Sequence, residues 1–184
     1  MTPDHPIALP AGAKLIPLTA HADRRGNLTE VFRSEWFESA SPVQWVVTRT
    51  EANALRGVHA HARQWDYYCL VAGELVVGLH DLRPGSSSVR TAMLRMSGER
   101  LQLLAVPMGV AHGLYSPTHS TLMVGTSAYY DPADHRGCRW DDPELGLEWP
   151  CTSPILSAKD RDAGSCAELK AGLLADLAMP SASV

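Results

Sequence analysis

The pair His59-Ala60-His61 constrains this chain more than any other feature. It closes the stretch Arg56-Gly57-Val58-His59-Ala60-His61, and Asp66 and Gly73 follow. Side chains two apart on a strand point to one face, so an extended segment here turns both imidazoles the same way. A second piece, Pro107-Met108-Gly109-Val110-Ala111-His112, brings a further histidine behind a turn. If Asp66 opens the next strand and His112 stands on a third, all four side chains converge inside a small β-barrel.

The surrounding pattern agrees with a barrel. Strands are predicted over 14–20, 28–33, 43–51, 54–60, 66–73, 74–83, 88–96, 100–107, 113–116 and 121–130, from alternation and β-branched content. Residues 21–27 read as a turn, and Gly73-Glu74 as a tight turn between two strands. Ser34 is placed as the cap of a short helix, with Pro42 beyond it. Only residues 166–179 carry apolar side chains at helical spacing over several turns. Many short strands, with helix confined to the ends, predict a closed all-β fold. The 184 residues make one domain, with residues 1–12 as a flexible lead.

Charge and cysteine usage narrow the function. A net charge of −4 and a pI near 6.0 leave no footprint for nucleic acid, although local arginines could still hold an anionic small ligand. No apolar run approaches the roughly 18 residues of a membrane span, and the N-terminus lacks the charged and apolar regions of a signal peptide. Cys69, Cys138, Cys151 and Cys166 form no CxxC pair and are expected as reduced thiols of a cytoplasmic protein.

His59-x-His61, Asp66, Gly73 and Pro107-x-Gly109-x-x-His112 resemble the two halves of the cupin signature. From about Leu28 to Asp160 the chain resembles the dTDP-4-dehydrorhamnose 3,5-epimerase family. The matching pieces include Asp23-Arg24-Arg25-Gly26, Leu55-Arg56-Gly57-Val58-His59, Tyr129-Tyr130-Asp131-Pro132, Arg139-Trp140-Asp141-Asp142-Pro143, Gly146-Leu147-Glu148-Trp149-Pro150 and Ser157-Ala158-Lys159-Asp160. The resemblance implies a double-stranded β-helix, the cupin jelly roll, with a C-terminal helix, in a homodimer that exchanges N-terminal strands. It implies a nucleotide-linked 4-keto-6-deoxyhexose as substrate, with dTDP as the carrier. By the same resemblance His59 is the base that removes a proton beside the ketone, and Asp160 orients it. Arg25 and Arg56 hold the diphosphate, Glu30 contacts the nucleotide and His112 lines the sugar pocket.

Three positions depart from that family. Val124 stands where the acid tyrosine is expected, Asp66 where a lysine faces the sugar carbonyl, and His61 where glutamine is usual. An anionic side chain beside a developing enolate opposes the standard chemistry. His61, Asp66 and Tyr68 are expected on the substrate face, and Tyr68 is a candidate substitute acid. His59, His61, Asp66 and His112 also make a set that suits a divalent metal, in which case His59 is a ligand and not a base. Metal and no metal both remain open at this point. Arg-Gly-x-His-Ala-His also occurs in nucleotide-sugar 3,4-ketoisomerases. Ketoisomerisation, a metal-dependent cupin reaction such as an oxygenase or lyase, and sugar-nucleotide binding without catalysis therefore stand beside epimerisation.

Overall fold

The structure, a computed structural model, describes residues 7–38, 40–86 and 89–178. Twelve strands run in chain order through it: β1 (Lys14–Pro17), β2 (Ala20–Asp23), β3 (Gly26–Thr29), β4 (Gln44–Thr50), β5 (Ala54–Ala60), β6 (Asp66–Ala72), β7 (Glu74–Asp81), β8 (Thr91–Ser97), β9 (Gln102–Val106), β10 (Val110–Ser116), β11 (Ser120–Thr126) and β12 (Arg136–Gly137). Helices α1 (Ala158–Arg161) and α2 (Cys166–Leu177) close the chain. One five-stranded sheet has the order β1-β9-β6-β11-β4 and the other β12-β5-β10-β7-β8. All pairings between these strands are antiparallel. Two facing antiparallel sheets with non-sequential order form the jelly roll of the cupin fold.

Alternation explains the core. Leu75, Val77 and Leu79 of β7 and Ala92, Leu94 and Met96 of β8 recur at every second position. They meet Tyr68, Leu70, Leu104 and Leu122 from the opposite sheet. On the outer face of β7 and β10, Gly78 and Gly113 leave a trough. A Cβ at either glycine would come 2.9 Å from the Trp149 indole, and Trp149 Nε1 donates to the Trp140 carbonyl at 3.0 Å. Helix α2 starts with a capping box between Ser165 and Glu168. It lays Cys166, Leu169 and Leu173 against Val58 and Ala111 behind the cavity-bearing sheet. Met179, the last residue expected in this helix, lies outside the described residues. No helix among the described residues is long and apolar enough to cross a membrane.

The N-terminal third differs from expectation. The strand over 14–20 divides into β1 and the start of β2, and the turn over 21–27 is mostly the β2–β3 hairpin. The strand over 28–33 stops at Thr29. Beyond it Glu30 pairs with Arg33 at 2.7 Å, and Phe32 turns inward onto Phe37 and Tyr67, with ring centroids 5.6 and 5.5 Å away. The helix expected after Ser34 is one 3₁₀ turn, Ser34–Trp36, with Arg33 and not Ser34 at its N-cap and no side-chain cap bond. Phe37 returns to extended backbone, which seats its ring beside Tyr67 at 5.1 Å; burying that ring outweighs extending a short helix. Residues 1–6 of the expected lead are outside the described residues. Pro10 is buried, Leu9 packs on the core, and the Ala11 carbonyl accepts from Arg83 at 2.6 Å.

Candidate active site

Strands β4, β5, β6, β10 and β11 supply the walls of a cavity of about 550 Å³. His59 comes from β5, Tyr68 from β6, His112 from β10 and Val124 from β11, with Lys159 and Asp160 from α1. An adjoining cavity of about 200 Å³ shares His59, Tyr68, His112 and Val124, and adds His61, Gln64 and Asp66. The register explains the meeting: His112 pairs with His59 across β5 and β10, and Val124 pairs with Tyr68 across β6 and β11.

His59 Nε2 lies 2.6 Å from Asp160 Oδ1. A carboxylate only accepts, so Nε2 carries the proton and Nδ1 holds the basic lone pair. Burial pushes the Asp160 carboxyl up, but the hydrogen bond and charge of His59, the Ser157 hydroxyl and the Gly57 amide outweigh it and hold the group below the usual range. Asp160 is placed by the Ser157 cap of α1, whose hydroxyl accepts from the Asp160 amide at 3.1 Å. Gly57 lets the two segments close. Its φ is +112°, and a Cβ there would stand 2.8 Å from the His112 carbonyl oxygen.

One side of the cavity is a buried polar cluster around Asp66, which is 2% exposed. Asp66 Oδ2 lies 3.0 Å from His112 Nε2 and 3.4 Å from His61 Nε2. Tyr68 donates to the same oxygen at 3.1 Å, and Gln64 Nε2 donates to Oδ1 at 2.6 Å. Burial raises the Asp66 carboxyl, yet the bond and charge of His112, the charge of His61 and the Gln64 bond bring it down to about 2. Burial holds His61 below its ordinary value despite Asp66. It drives Tyr68 well above, with the Asp66 charge adding to it.

The expected site residues separate into three groups. His59 and Asp160 come together, and Arg56 lines the same cavity with its Nε donating to Thr50 at 3.2 Å. His61, Asp66 and His112 come together with Tyr68 beside them, and their ligand atoms lie within 4.8 Å of one another. His59, expected with them, does not join that group, and its Nε2 meets Asp160 instead. Arg25 and Glu30 do not line the cavity. Arg25 pairs with Asp23 at 2.6 Å on the exposed β2–β3 hairpin, and Glu30 with Arg33.

Two residues of the site carry no motif in the sequence. His135 lines both cavities, its ring 4.5 Å from His59 and 5.2 Å from His61. Burial first, then the positive charge of His59 and Lys159, press its pKa to about 3. Asp134 is buried, accepts from the Ala62 and Arg63 amides at 2.7 and 3.0 Å, and offers its carbonyl to His61 Nδ1 at 2.9 Å. Both sit in Pro132-Ala133-Asp134-His135, where only a polar pair in a Pro-marked loop signals them. Asp131 accepts from the Ala133 amide, and Asp142 from those of Glu144 and Cys166, so both cap local turns. Asp141 instead stands 3.8 Å from Arg139.

Known proteins resemble this chain in sequence and fold. The family model described as dTDP-4-dehydrorhamnose 3,5-epimerase matches residues 8–168. The enzyme of that name from Sinorhizobium fredii is 32% identical over 170 residues, covering 86% of this chain and 87% of its own. Among solved structures, the rmlC epimerase of Mycobacterium tuberculosis superposes with a TM-score of 0.82 at 29% identity, over 89% of this chain and 88% of that one. ChmJ, a 3'-monoepimerase from Streptomyces bikiniensis in complex with dTDP-quinovose, gives a TM-score of 0.79 at 28% identity, over 90% and 96%. With a jelly roll, a histidine–aspartate dyad on the cavity wall and this extent of likeness, the chain belongs to the dTDP-4-dehydrorhamnose 3,5-epimerase family.

Proposed function

We propose that this protein is a sugar-nucleotide epimerase acting on a dTDP-linked 4-keto-6-deoxyhexose. The observation that carries the reading is the 2.6 Å contact of His59 Nε2 with Asp160 Oδ1 at the cavity wall. A carbon next to a ketone is acidic, because its anion delocalises onto the carbonyl oxygen. His59 Nδ1 takes that proton, and the Asp160 carboxylate stabilises the imidazolium that results. Water in the cavity returns a proton to the opposite face and His59 gives its own back to the resulting hydroxide, which inverts the centre. Arg56, exposed at the cavity wall, suits the diphosphate, and the complex of ChmJ with dTDP-quinovose supports a dTDP-sugar as the ligand.

Val124 offers no proton where the family acid would stand, so the second centre is served poorly. Epimerisation at one carbon follows, in keeping with the 3'-monoepimerase among the structural relatives. The functional unit is a homodimer. β4 is a sheet edge carrying exposed Trp45 and Val47 on the face away from the cavity, a surface that proteins normally cover. Among the described residues the β2–β3 hairpin pairs only with itself, and in the proposed dimer it brings Arg25 and Glu30 to a second copy's cavity.

The test is deuterium uptake from solvent into dTDP-4-keto-6-deoxyglucose, with both flanking carbons followed by NMR. Exchange is expected at one centre well ahead of the other. His59→Gln should lower it by roughly 10²–10⁴ while dTDP binding stays unchanged. Unchanged exchange in that variant removes His59 as the base.

A further inference from the structure

We propose that His61, Asp66 and His112 bind one divalent first-row transition-metal ion, through His61 Nε2, His112 Nε2 and Asp66 Oδ2. His61 Nδ1 faces the Asp134 carbonyl at 2.9 Å and His112 Nδ1 faces the Val110 carbonyl at 3.1 Å. Carbonyl oxygens only accept, so each imidazole spends its proton on Nδ1. Both Nε2 atoms then face one oxygen of the Asp66 carboxylate, from 3.4 and 3.0 Å. Three ligand atoms thus converge within 4.8 Å of one another in a buried space. A single added proton would answer the His112 contact and leave His61 facing a lone pair. A cation answers all three at once.

The surroundings suit a metal. Two imidazoles and one carboxylate are the donors that hold Fe(II), Zn, Co or Mn while leaving positions open, and they are too soft a set for magnesium or calcium. Backbone carbonyls on the Nδ1 atoms, with Tyr68 and Gln64 donating to Asp66, orient all three donors from outside. The open positions face the cavity, because His112 and Tyr68 are part of its wall. His59 stays outside the set and free to act as the base. The site would also restore the positive charge that Asp66 reverses: a dication beside one carboxylate leaves net positive charge to polarise a ketone oxygen. That last role rests on the epimerase reading; binding itself does not.

The experiment uses the full chain without a histidine tag, freed of metal with EDTA and titrated with Co(II). One equivalent should give saturable visible bands, displaced by Zn(II), and the melting temperature should rise. His61→Ala and His112→Ala should each abolish the bands, with circular dichroism confirming the fold, whereas His59→Ala should keep them. Absence of a saturable band and of any melting shift with Co(II), Zn(II), Mn(II) and Fe(II) in the wild-type protein overturns the site, whatever the variants do. So does a full-strength band in folded His61→Ala. Deuterium exchange on the same samples separates the two readings. Stoichiometric binding without exchange leaves the site standing and removes the sugar-ketone role, and exchange without binding removes the site and leaves the epimerase.

Discussion

Gly57→Ala puts the geometry of the dyad to a quantitative test. Gly57 sits at φ +112°, and the new Cβ would stand 2.8 Å from the His112 carbonyl oxygen, 3.0 Å from Gly113 Cα and 3.3 Å from the His59 amide nitrogen. All three are backbone atoms, and they lie on the paired strands β5 and β10, so nothing nearby can rotate away. An unfavourable φ costs about 1–3 kcal/mol and forced overpacking about 1–3 kcal/mol more. For a chain of this size each kcal/mol lowers the melting temperature by about 2–4 °C, so a fall on the order of 10 °C is expected. Gly26→Ala is the control: its φ is +135°, but a Cβ there meets nothing within 4 Å, so only the backbone cost remains and the fall is smaller. Both are read by thermal melts at one fixed protein concentration. Exchange in Gly57→Ala should fall as well, since the Gly57 amide donates to Asp160. If Gly57→Ala melts within about 2 °C of wild type, below the step expected for one kcal/mol, the close packing of β5 against β10 is wrong and the dyad geometry with it.

Two more outcomes follow from the site and the surface. The His135 ring is held neutral to about pH 3, by burial and then by the charges of His59 and Lys159, against an ordinary value of 6.5. The unfolded chain therefore binds more protons between those values, and this group's contribution is present above pH 6.5 and lost as pH falls toward 3. Because the ring is only partly buried, solvent screens some of the effect; urea midpoints of metal-free His135→Gln should decline less over that window than wild type, and parallel curves would contradict the assignment. Light scattering at micromolar concentration should give a dimer, and Val47→Asp on the exposed face of β4 should weaken it; a wild-type monomer removes the proposed assembly.

Much of the fold was legible because strand periodicity is local. Tyr68 faces the core shared with Leu70, while Tyr67 turns to Phe37 and Phe32 on the other side, as a repeat of two requires. Asp66 opens β6 and His112 stands on β10. The misjudged stretch, residues 28–36, alternates well enough for a strand and has a good cap for a helix. It forms neither for long, because Phe32 and Phe37 gain more by packing on Tyr67.

The residue types in Arg-Gly-x-His-x-His, with Asp66 and His112, determined by themselves that imidazoles and carboxylates would share one face of a barrel. Which imidazole met which carboxylate was decided only by the tertiary structure. His59 reaches Asp160, 101 residues away, because α1 folds back beneath β5, while His61 and His112 turn to Asp66. His135 and Asp134 enter the site from a loop with no periodicity to mark it. Periodicity places a side chain on a face. Only the return of distant segments brings a proton donor and an acceptor within 3 Å, as it does for His59 and Asp160.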